Sequence, residues 1–382
     1  FHRETPAYRK FSHNYKIYAF HVNSTLRKSL RLVTRFKLKA EYELLPLYKL
    51  FSPSWRRLKK LDLELHIRNF SILRFFKTLI SKHLQELRLY YNNWHSQRYS
   101  TYQYALGITQ FPTLKKLDLT LCPLPWKKSS ILGRLIRLKE LSLNYDAPRL
   151  LPPRALRKMR ELTSIRLSKT LSLGILREAS QLPKLKSFDF SFWEYDEMVQ
   201  RETLSFMRSL SGLQTLKMEL AESSANSDNF LDYLTHLTNL KELDISTLLK
   251  LRKLQGKAIT KVISSLINLE KLVLCLGEKE FDIGSLAKAV STLRSLKDFT
   301  VFLPHGLATI QFYDNLQLSS LQSLTLRCSM MKDTRRQETV SLARFLKNHL
   351  QLRRFSLFLN VITHQVLNIL KEPLQGLKFL EY

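Results

Sequence analysis

A six-residue motif, Leu-x-x-Leu-x-Leu, recurs from one end of this 382-residue chain to the other. After a looser copy that starts at Val33, the motif begins at Leu58, Leu84, Leu114, Leu138, Leu162, Leu185, Leu213, Leu240, Leu269, Leu296, Leu321, Leu352 and Leu377. Successive copies begin 23 to 31 residues apart, and a near-constant period of this size indicates stacked copies of one structural unit. The spacing therefore predicts a solenoid of about fourteen repeats over residues 33–382.

Each copy predicts a strand followed by a helix. Within Leu-x-Leu the alternation has a period of two, which sends one set of side chains to a core and the other to solvent. Between the motifs the apolar spacing becomes helical, as at Val262, Ile263 and Leu266, and Asp228 is the predicted N-cap of another such helix. Because one unit cannot cover its own apolar faces, neighbours must stack. We expect an α/β fold with a curved parallel strand ladder inside and helices outside.

These motifs resemble the leucine-rich-repeat superfamily over roughly residues 33–382, and most closely its helix-backed, ribonuclease-inhibitor-like and F-box-associated type. The resemblance implies binding on the concave strand face and, through the F-box-associated branch, a role as substrate adaptor in ubiquitin ligation. The family's asparagine or cysteine, three residues past the last leucine, is kept at Asn92, Cys122 and Asn360 but replaced in most repeats. The buried side-chain ladder at that turn is therefore expected to be interrupted.

The motifs give no support to catalysis or metal binding. The chain has no HExxH, GxSxG, Walker A or GxGxxG pattern, and its histidines lack metal-ligand spacing. Its three cysteines, Cys122, Cys275 and Cys328, lie far apart, which is typical of a reducing compartment. No stretch is apolar enough to predict a membrane-spanning helix. We expect a non-enzymatic intracellular protein without cofactor, metal or small-molecule substrate; the cytoplasm is favoured, and nucleus and organelle stay open.

The two ends of the chain lead to separate expectations. Residues 1–32 form either a basic arm or an irregular cap, and the first sixty residues carry fifteen basic and three acidic side chains. Basic residues mixed with aromatic ones suit single-stranded nucleic acid, whereas aromatics alone could close the first repeat. The last motif begins at Leu377, five residues before the end of the sequence. Because solenoids need polar caps, we expect that a C-terminal cap is missing here or that a partner covers this end.

Motif positions three, five and seven are predicted to face solvent on the concave side. In the first thirteen repeats they carry eleven basic and ten acidic side chains, and the stretch between residues 60 and 246 is acidic. Aromatic and charged side chains anchor protein interfaces. The predicted partner-binding residues are Asp62, Glu64, Glu86, Tyr90, Asp118, Glu140, Asp189, Glu242, Asp244, Phe302 and Phe358.

Nearly all of the net charge of +30 is therefore expected away from the concave face. Position two is lysine in seven of fourteen motifs, and adjacent strands lie about 4.8 Å apart, so these cations should follow one edge of the ladder. The row is either a solvated edge that prevents edge-on association or a track for phosphates. The candidate polyanion-binding residues are Arg27, Lys28, Arg31, Arg35, Lys37, Lys39, Lys59, Lys115, Lys139, Lys186, Lys241 and Lys297.

Three functional hypotheses follow. The first is a non-catalytic interaction scaffold that binds a protein partner on the concave strands. The second is a basic structural component of a nucleic-acid assembly, in which rim lysines and the N-terminal arm contact RNA or DNA. The third is the substrate adaptor in ubiquitin ligation, which the resemblance alone implies.

Overall fold

The structure is a computed structural model of the whole chain. It describes residues 35–40, 58–65, 83–91, 108–120, 132–144, 153–167, 173–192, 206–220, 227–245, 253–275, 282–303, 307–328, 335–349, 351–359, 363–375 and 379–381. The chain forms two compact units, residues 1–162 and residues 163–382.

The first unit is a ladder of parallel strands that pair in chain order. Its elements are β1 (Arg35–Ala40), β2 (Lys60–Leu65), β3 (Glu86–Tyr91), β4 (Lys116–Thr120), β5 (Glu140–Asn144) and the short helix α1 (Pro153–Leu156). Each strand begins at position three of its motif, and the register joins equivalent positions, as in Lys60 with Glu86. Repeats therefore stack without a shift between neighbours.

The second unit continues the same pattern. Its strands are β6 (Ser164–Leu167), β7 (Ser187–Phe192), β8 (Thr215–Leu220), β9 (Glu242–Ile245), β10 (Lys271–Cys275), β11 (Asp298–Leu303), β12 (Ser323–Cys328), β13 (Arg354–Leu359) and β14 (Phe379–Glu381). Its helices are α2 (Leu173–Ser180), α3 (Ser227–Leu234), α4 (Lys253–Ser265), α5 (Ile283–Ser291), α6 (Leu307–Asn315), α7 (Arg335–Asn348) and α8 (His364–Leu374). These strands also pair in parallel and in chain order.

The core lies between the strands and the segments that follow them. The first leucine of each described motif is buried, as are Val262, Ile263 and Leu266 on α4. Strand and helix aromatics meet there, because the Phe299 ring on β11 lies 6.1 Å from the Phe312 ring on α6. Both units thus show the stacked parallel strands of a leucine-rich-repeat solenoid, and in the second unit helices pack against the strands, which confirms the predicted α/β fold class.

Two local expectations were wrong. Helix α3 begins at Ser227, so Asp228 lies inside its first turn and is not its N-cap. The alternation also fails at Cys275, expected at a solvent-facing position but only 3% exposed, because β10 ends there and the last two residues of the strand are both buried. Burial raises the pKa of the Cys275 thiol, which keeps this sulfur protonated and weakly nucleophilic.

A repeated hydrogen-bond pattern joins neighbouring repeats at the edge where their strands begin. The carbonyl of Lys59, at position two, accepts two backbone N–H groups from the next repeat, those of Gln85 at 2.8 Å and Glu86 at 2.9 Å. The Lys186 carbonyl accepts two in the same way. We call the line of position-two residues the rim; the carbonyls of Lys59 and Lys186, and others along it such as that of Lys241, use both lone pairs inside the ladder, which fixes the register of those junctions.

Candidate binding surfaces

The open face of the ladder is the solvent side of the strands, formed by motif positions three, five and seven and expected as the concave face. In the first unit its charges alternate from strand to strand. Lys60 Nζ lies 2.9 Å from Glu86 Oε2, and Lys116 pairs with Glu140. The hydrogen bond from Lys60 lowers the pKa of Glu86 despite partial burial. Two predicted acidic contacts are therefore neutralised by the adjacent lysine.

The remaining predicted residues of the first unit lie on the same face. Asp62, Tyr90 and Asp118 are half-buried, and Asp118 accepts a hydrogen bond from the Thr120 hydroxyl at 3.2 Å. Glu64 pairs in register with Tyr90, but its side chain lies outside the described residues. These side chains sit on adjacent strands and form one row of mixed polarity.

In the second unit the predicted acidic residues are again close to cations or only partly exposed. The Asp189 carboxylate accepts from Arg166 Nε at 2.7 Å. Glu242 and Asp244 lie half-buried on β9, in register with Lys271 and Val273 of β10. Of the predicted acidic residues, Glu86, Glu140 and Asp189 thus each pair with a neighbouring cation, which reduces the net field of the acidic stretch.

The most distinctive feature of the open face is an aromatic–cation stack at its C-terminal end. Phe302, Arg327 and Phe358 occupy the same register on β11, β12 and β13. The guanidinium carbon of Arg327 lies over both rings, 4.9 Å from the Phe302 centroid and 4.7 Å from the Phe358 centroid. Both phenylalanines were sequence candidates. Arg327 was missed. The sequence did hold a signal for it, because the same motif position, position seven, is phenylalanine in the repeats before and after.

The surroundings of this stack are polar and weakly charged. Thr300 and Thr325, at position five of β11 and β12, are half-buried beside it. At the start of the strands, Arg354 Nη2 on β13 lies 3.1 Å from Asp298 Oδ1 on β11, so this ion pair crosses over β12. No carboxylate among the described residues pairs with Arg327. Its in-plane N–H groups are the main unneutralised donors of this part of the open face.

A second surface lies on the rim of the second unit. An open groove of about 720 Å³ runs along it from Gly212 to Arg353. At its centre Glu270 accepts from Lys297 Nζ at 2.7 Å and lies 3.3 Å from Lys241 Nζ. The hydrogen bond from Lys297, followed by that from Lys241, lowers the pKa of the partly exposed Glu270 carboxyl. We call this feature the rim groove.

The structure places the candidate polyanion-binding residues unevenly. Lys59, Lys115, Lys139 and Lys186 are exposed on the rim, as is Arg35 at the start of β1. Lys241 and Lys297 are brought together by Glu270. The side chains of Lys37 and Lys39, and all of Arg27, Lys28 and Arg31, lie outside the described residues. Arg353, the arginine of the position-two row, lines the rim groove, and so does Arg294, which sequence reasoning did not select.

The described ranges also bear on metal binding and on membrane insertion. These ranges hold no group of three or more histidine, cysteine, aspartate or glutamate side chains placed to bind a metal ion. None of their helices combines the length and the apolar character that crossing a membrane requires.

No protein-family model and no curated protein matches this chain. Solved structures do match. One is an internalin (inlF) from Listeria monocytogenes str. 4b F2365, with a TM-score of 0.40 and 13% identity over 93% of this chain and 88% of that chain. Another is a TLR13–ssRNA13 complex, with a TM-score of 0.43 and 14% identity over 87% of this chain and 48% of that chain. This chain thus spans about half of the latter.

Proposed function

We propose that this chain is a non-catalytic interaction scaffold that binds a protein partner on the open face of its second unit. The observation that carries the proposal is the stack of Phe302, Arg327 and Phe358. Arginine and aromatic residues dominate the binding energy of protein interfaces when they lie together at the centre of a contact. Here three neighbouring strands hold such residues in one row, so the row is preorganised for binding.

The stack is preorganised for a carboxylate. Each ring attracts the guanidinium by about 0.5–1 kcal/mol or more. This attraction restrains the Arg327 side chain before binding, so that less side-chain entropy is lost when a partner binds. A guanidinium that contacts both rings through its faces would keep its N–H edges free, and these match a carboxylate in a two-pronged geometry. The rings on either side would contact apolar atoms next to that carboxylate. The partner segment is therefore acidic with apolar neighbours.

The position-five hydroxyls complete the site. Thr300 and Thr325 lie on the same face as the stack, two residues earlier on their strands. Hydroxyl groups both donate and accept hydrogen bonds, so they suit the backbone or polar side chains of a peptide that lies across the strands. Asp62, Tyr90 and Asp244 remain proposed contacts on the open faces of their own units.

Site-specific photo-crosslinking tests the proposal. A photoreactive amino acid at Thr325 should crosslink a protein in cell extract, while the same group at Val340, which is 41% exposed on α7, should not. Adducts must persist after nuclease treatment. An adduct that forms equally from Val340, or that disappears with nuclease, contradicts the proposal.

The crosslinked partner then allows a quantitative test. Arg327→Ala should weaken binding by about 2 kcal/mol, roughly thirtyfold in Kd, as expected for a central interface arginine. Arg327→Lys should lose most of the same affinity, because lysine keeps the charge but not the planar fork. Arg336→Ala, an exposed cation on α7, is the control and should bind like the unmodified chain.

Two finer assignments belong with this proposal. The 13-residue α4 and the 14-residue α7 support membership in the helix-backed, ribonuclease-inhibitor-like and F-box-associated subclass, since long helices behind the strands are what distinguishes it. An intracellular location is proposed on the scattered cysteines alone. The role as substrate adaptor in ubiquitin ligation rests only on the resemblance and stays a prediction.

A further inference from the structure

We propose that the rim groove is a second binding site, which takes the phosphate backbone of a nucleic acid. This inference goes beyond the open-face proposal, because it concerns the edge where the strands begin and a ligand of different chemistry. The groove follows the position-two edge of six strands, β8 to β13. At about 4.8 Å per strand it extends about 24 Å, long enough for several consecutive phosphates.

The chemistry of the lining excludes an apolar ligand. The described lining consists of lysine, arginine, glutamine, asparagine, serine, glycine and one glutamate, with no aliphatic or aromatic residue. An interface core depends on buried apolar and aromatic anchors, and this groove offers none. Arginine, lysine, serine, asparagine and glutamine are, in contrast, the side chains that contact phosphate and sugar oxygens in nucleic-acid complexes.

Several backbone carbonyls beside the groove are already occupied. The carbonyls of Gln214 and Lys241 each accept two N–H groups from the next repeat. Two further carbonyls are occupied by groove side chains, since Asn268 donates to Thr238 at 2.9 Å and Gln351 donates to Leu318 at 2.6 Å. These carbonyls are therefore closed to a ligand, and because the amide donors of Asn268 and Gln351 are used on them, the donors left for an anion are mainly the lysine and arginine N–H groups.

The charge of the groove has the same sign. Its described lining contains Lys241, Arg294, Lys297 and Arg353 against the single carboxylate of Glu270. No carboxylate in the described ranges pairs with Arg294 or Arg353, so both are available to an incoming anion. The chain's net charge of +30 adds a long-range attraction for polyanions. Glu270 restrains the two lysines, which makes it a built-in competitor of the phosphates.

Binding to a fluorescent 20-mer of thymidylate, measured over a salt titration, tests the site. Each phosphate contact contributes about 0.7 to the slope of log K against log salt for a single strand. The Arg294→Ala/Arg353→Ala variant should therefore weaken the salt dependence and reduce the magnitude of this negative slope by about 1.4. The control Lys257→Ala/Arg336→Ala removes the same charge from exposed helix positions and should leave the slope unchanged. Equal effects of both pairs would mean that only net charge matters, which overturns the proposal.

Glu270→Gln gives a test in the opposite direction. Removing this carboxylate frees Lys241 and Lys297, so affinity for the 20-mer should rise and the slope should steepen by up to about 1.4. The control is Glu372→Gln, which breaks an exposed pair with Lys347 on the helices and should not change binding. An unchanged or weaker affinity of Glu270→Gln overturns the proposal.

Competition with poly-L-glutamate separates nucleic acid from acidic protein. We expect the thymidylate strand to resist displacement at equal charge concentration, because the groove lacks the apolar contacts that an acidic peptide would add. Efficient displacement, or no binding of the strand at low salt, overturns the assignment. None of these readouts involves Arg327, so failure here leaves the open-face proposal standing, and the reverse also holds.

Discussion

Acidification should weaken the second unit through one buried histidine. His349 follows α7, is 6% exposed and stacks on Phe345 with ring centroids 4.0 Å apart. Its Nε2 accepts a hydrogen bond from the Leu318 backbone N–H at 3.1 Å. Its Nδ1 lies 2.7 Å from the Phe345 carbonyl oxygen and must donate to it. The ring is therefore neutral, and it joins the end of α7 to the turn before β12.

Protonation would place a second N–H on Nε2, opposite the Leu318 N–H. That change removes one hydrogen bond and leaves a buried donor unsatisfied, at a cost of about 1–3 kcal/mol. Burial accordingly lowers the pKa of His349, and the Phe345 carbonyl offsets only part of this effect. Because the folded pKa lies below the unfolded value of about 6.5, the stabilisation is complete above pH 6.5 and is lost as the pH falls towards the folded pKa.

Chemical unfolding followed by circular dichroism at several pH values measures this effect. His349→Gln keeps an acceptor for the Leu318 N–H but cannot titrate. Between pH 6.5 and 5.5 the free energy of unfolding of the unmodified chain should fall relative to this variant by up to about 1.0 kcal/mol. The exposed His236, changed to glutamine, is the control and should follow the unmodified chain. Parallel pH profiles for the unmodified chain and His349→Gln would refute the reasoning.

Two further substitutions test the core and the caps. Phe188→Ala should cost about 3–5 kcal/mol in denaturant unfolding, because this fully buried ring lies 4.8 Å from Phe190 and 5.3 Å from Phe206; a cost below 1 kcal/mol would contradict the described core. Asp282→Ala should cost about 1 kcal/mol, since Asp282 caps α5 through the Ser285 N–H at 3.0 Å. Those Ser285 hydrogen bonds lower the pKa of Asp282, so the cost should disappear as the pH falls through that lowered pKa; a cost that persists in acid would argue against the cap.

The sequence predicted the ladder because one short motif determines both the strand and its burial. Leucines that recur with a period near 26 residues place equivalent positions side by side once neighbours stack, and no distant contact is needed to establish this. The alternation failed at Cys275 because a strand's last residue is determined by the segment after it. Asp228 was misassigned because aspartate is favourable both at the N-cap and within the first helical turn.

The candidate sites were less accessible to sequence reasoning. Phe302 and Phe358 were found because an exposed aromatic is unusual at a solvent-facing strand position. The role of Arg327 depends on ring-to-cation distances across three strands, which composition does not supply. Likewise Lys241 and Lys297 were predicted as members of one cationic row, whereas the carboxylate of Glu270 between them neutralises part of that row. Whether a charged side chain is free or paired therefore depends on its neighbours on adjacent strands, about 4.8 Å away.

The doubly used rim carbonyls also explain how this chain tolerates repeats of unequal length. Many junctions between repeats are set by one acceptor and two consecutive donors, as at Lys186 with Gln214 and Thr215. Extra residues can then be inserted only after a strand, where they lengthen a helix or a turn and leave the junction untouched. A complete repeat could be duplicated or exchanged between such chains, provided that it carries these donors and its leucines. The molecule is in this sense modular, and the rim is the joint at which its modules are exchangeable.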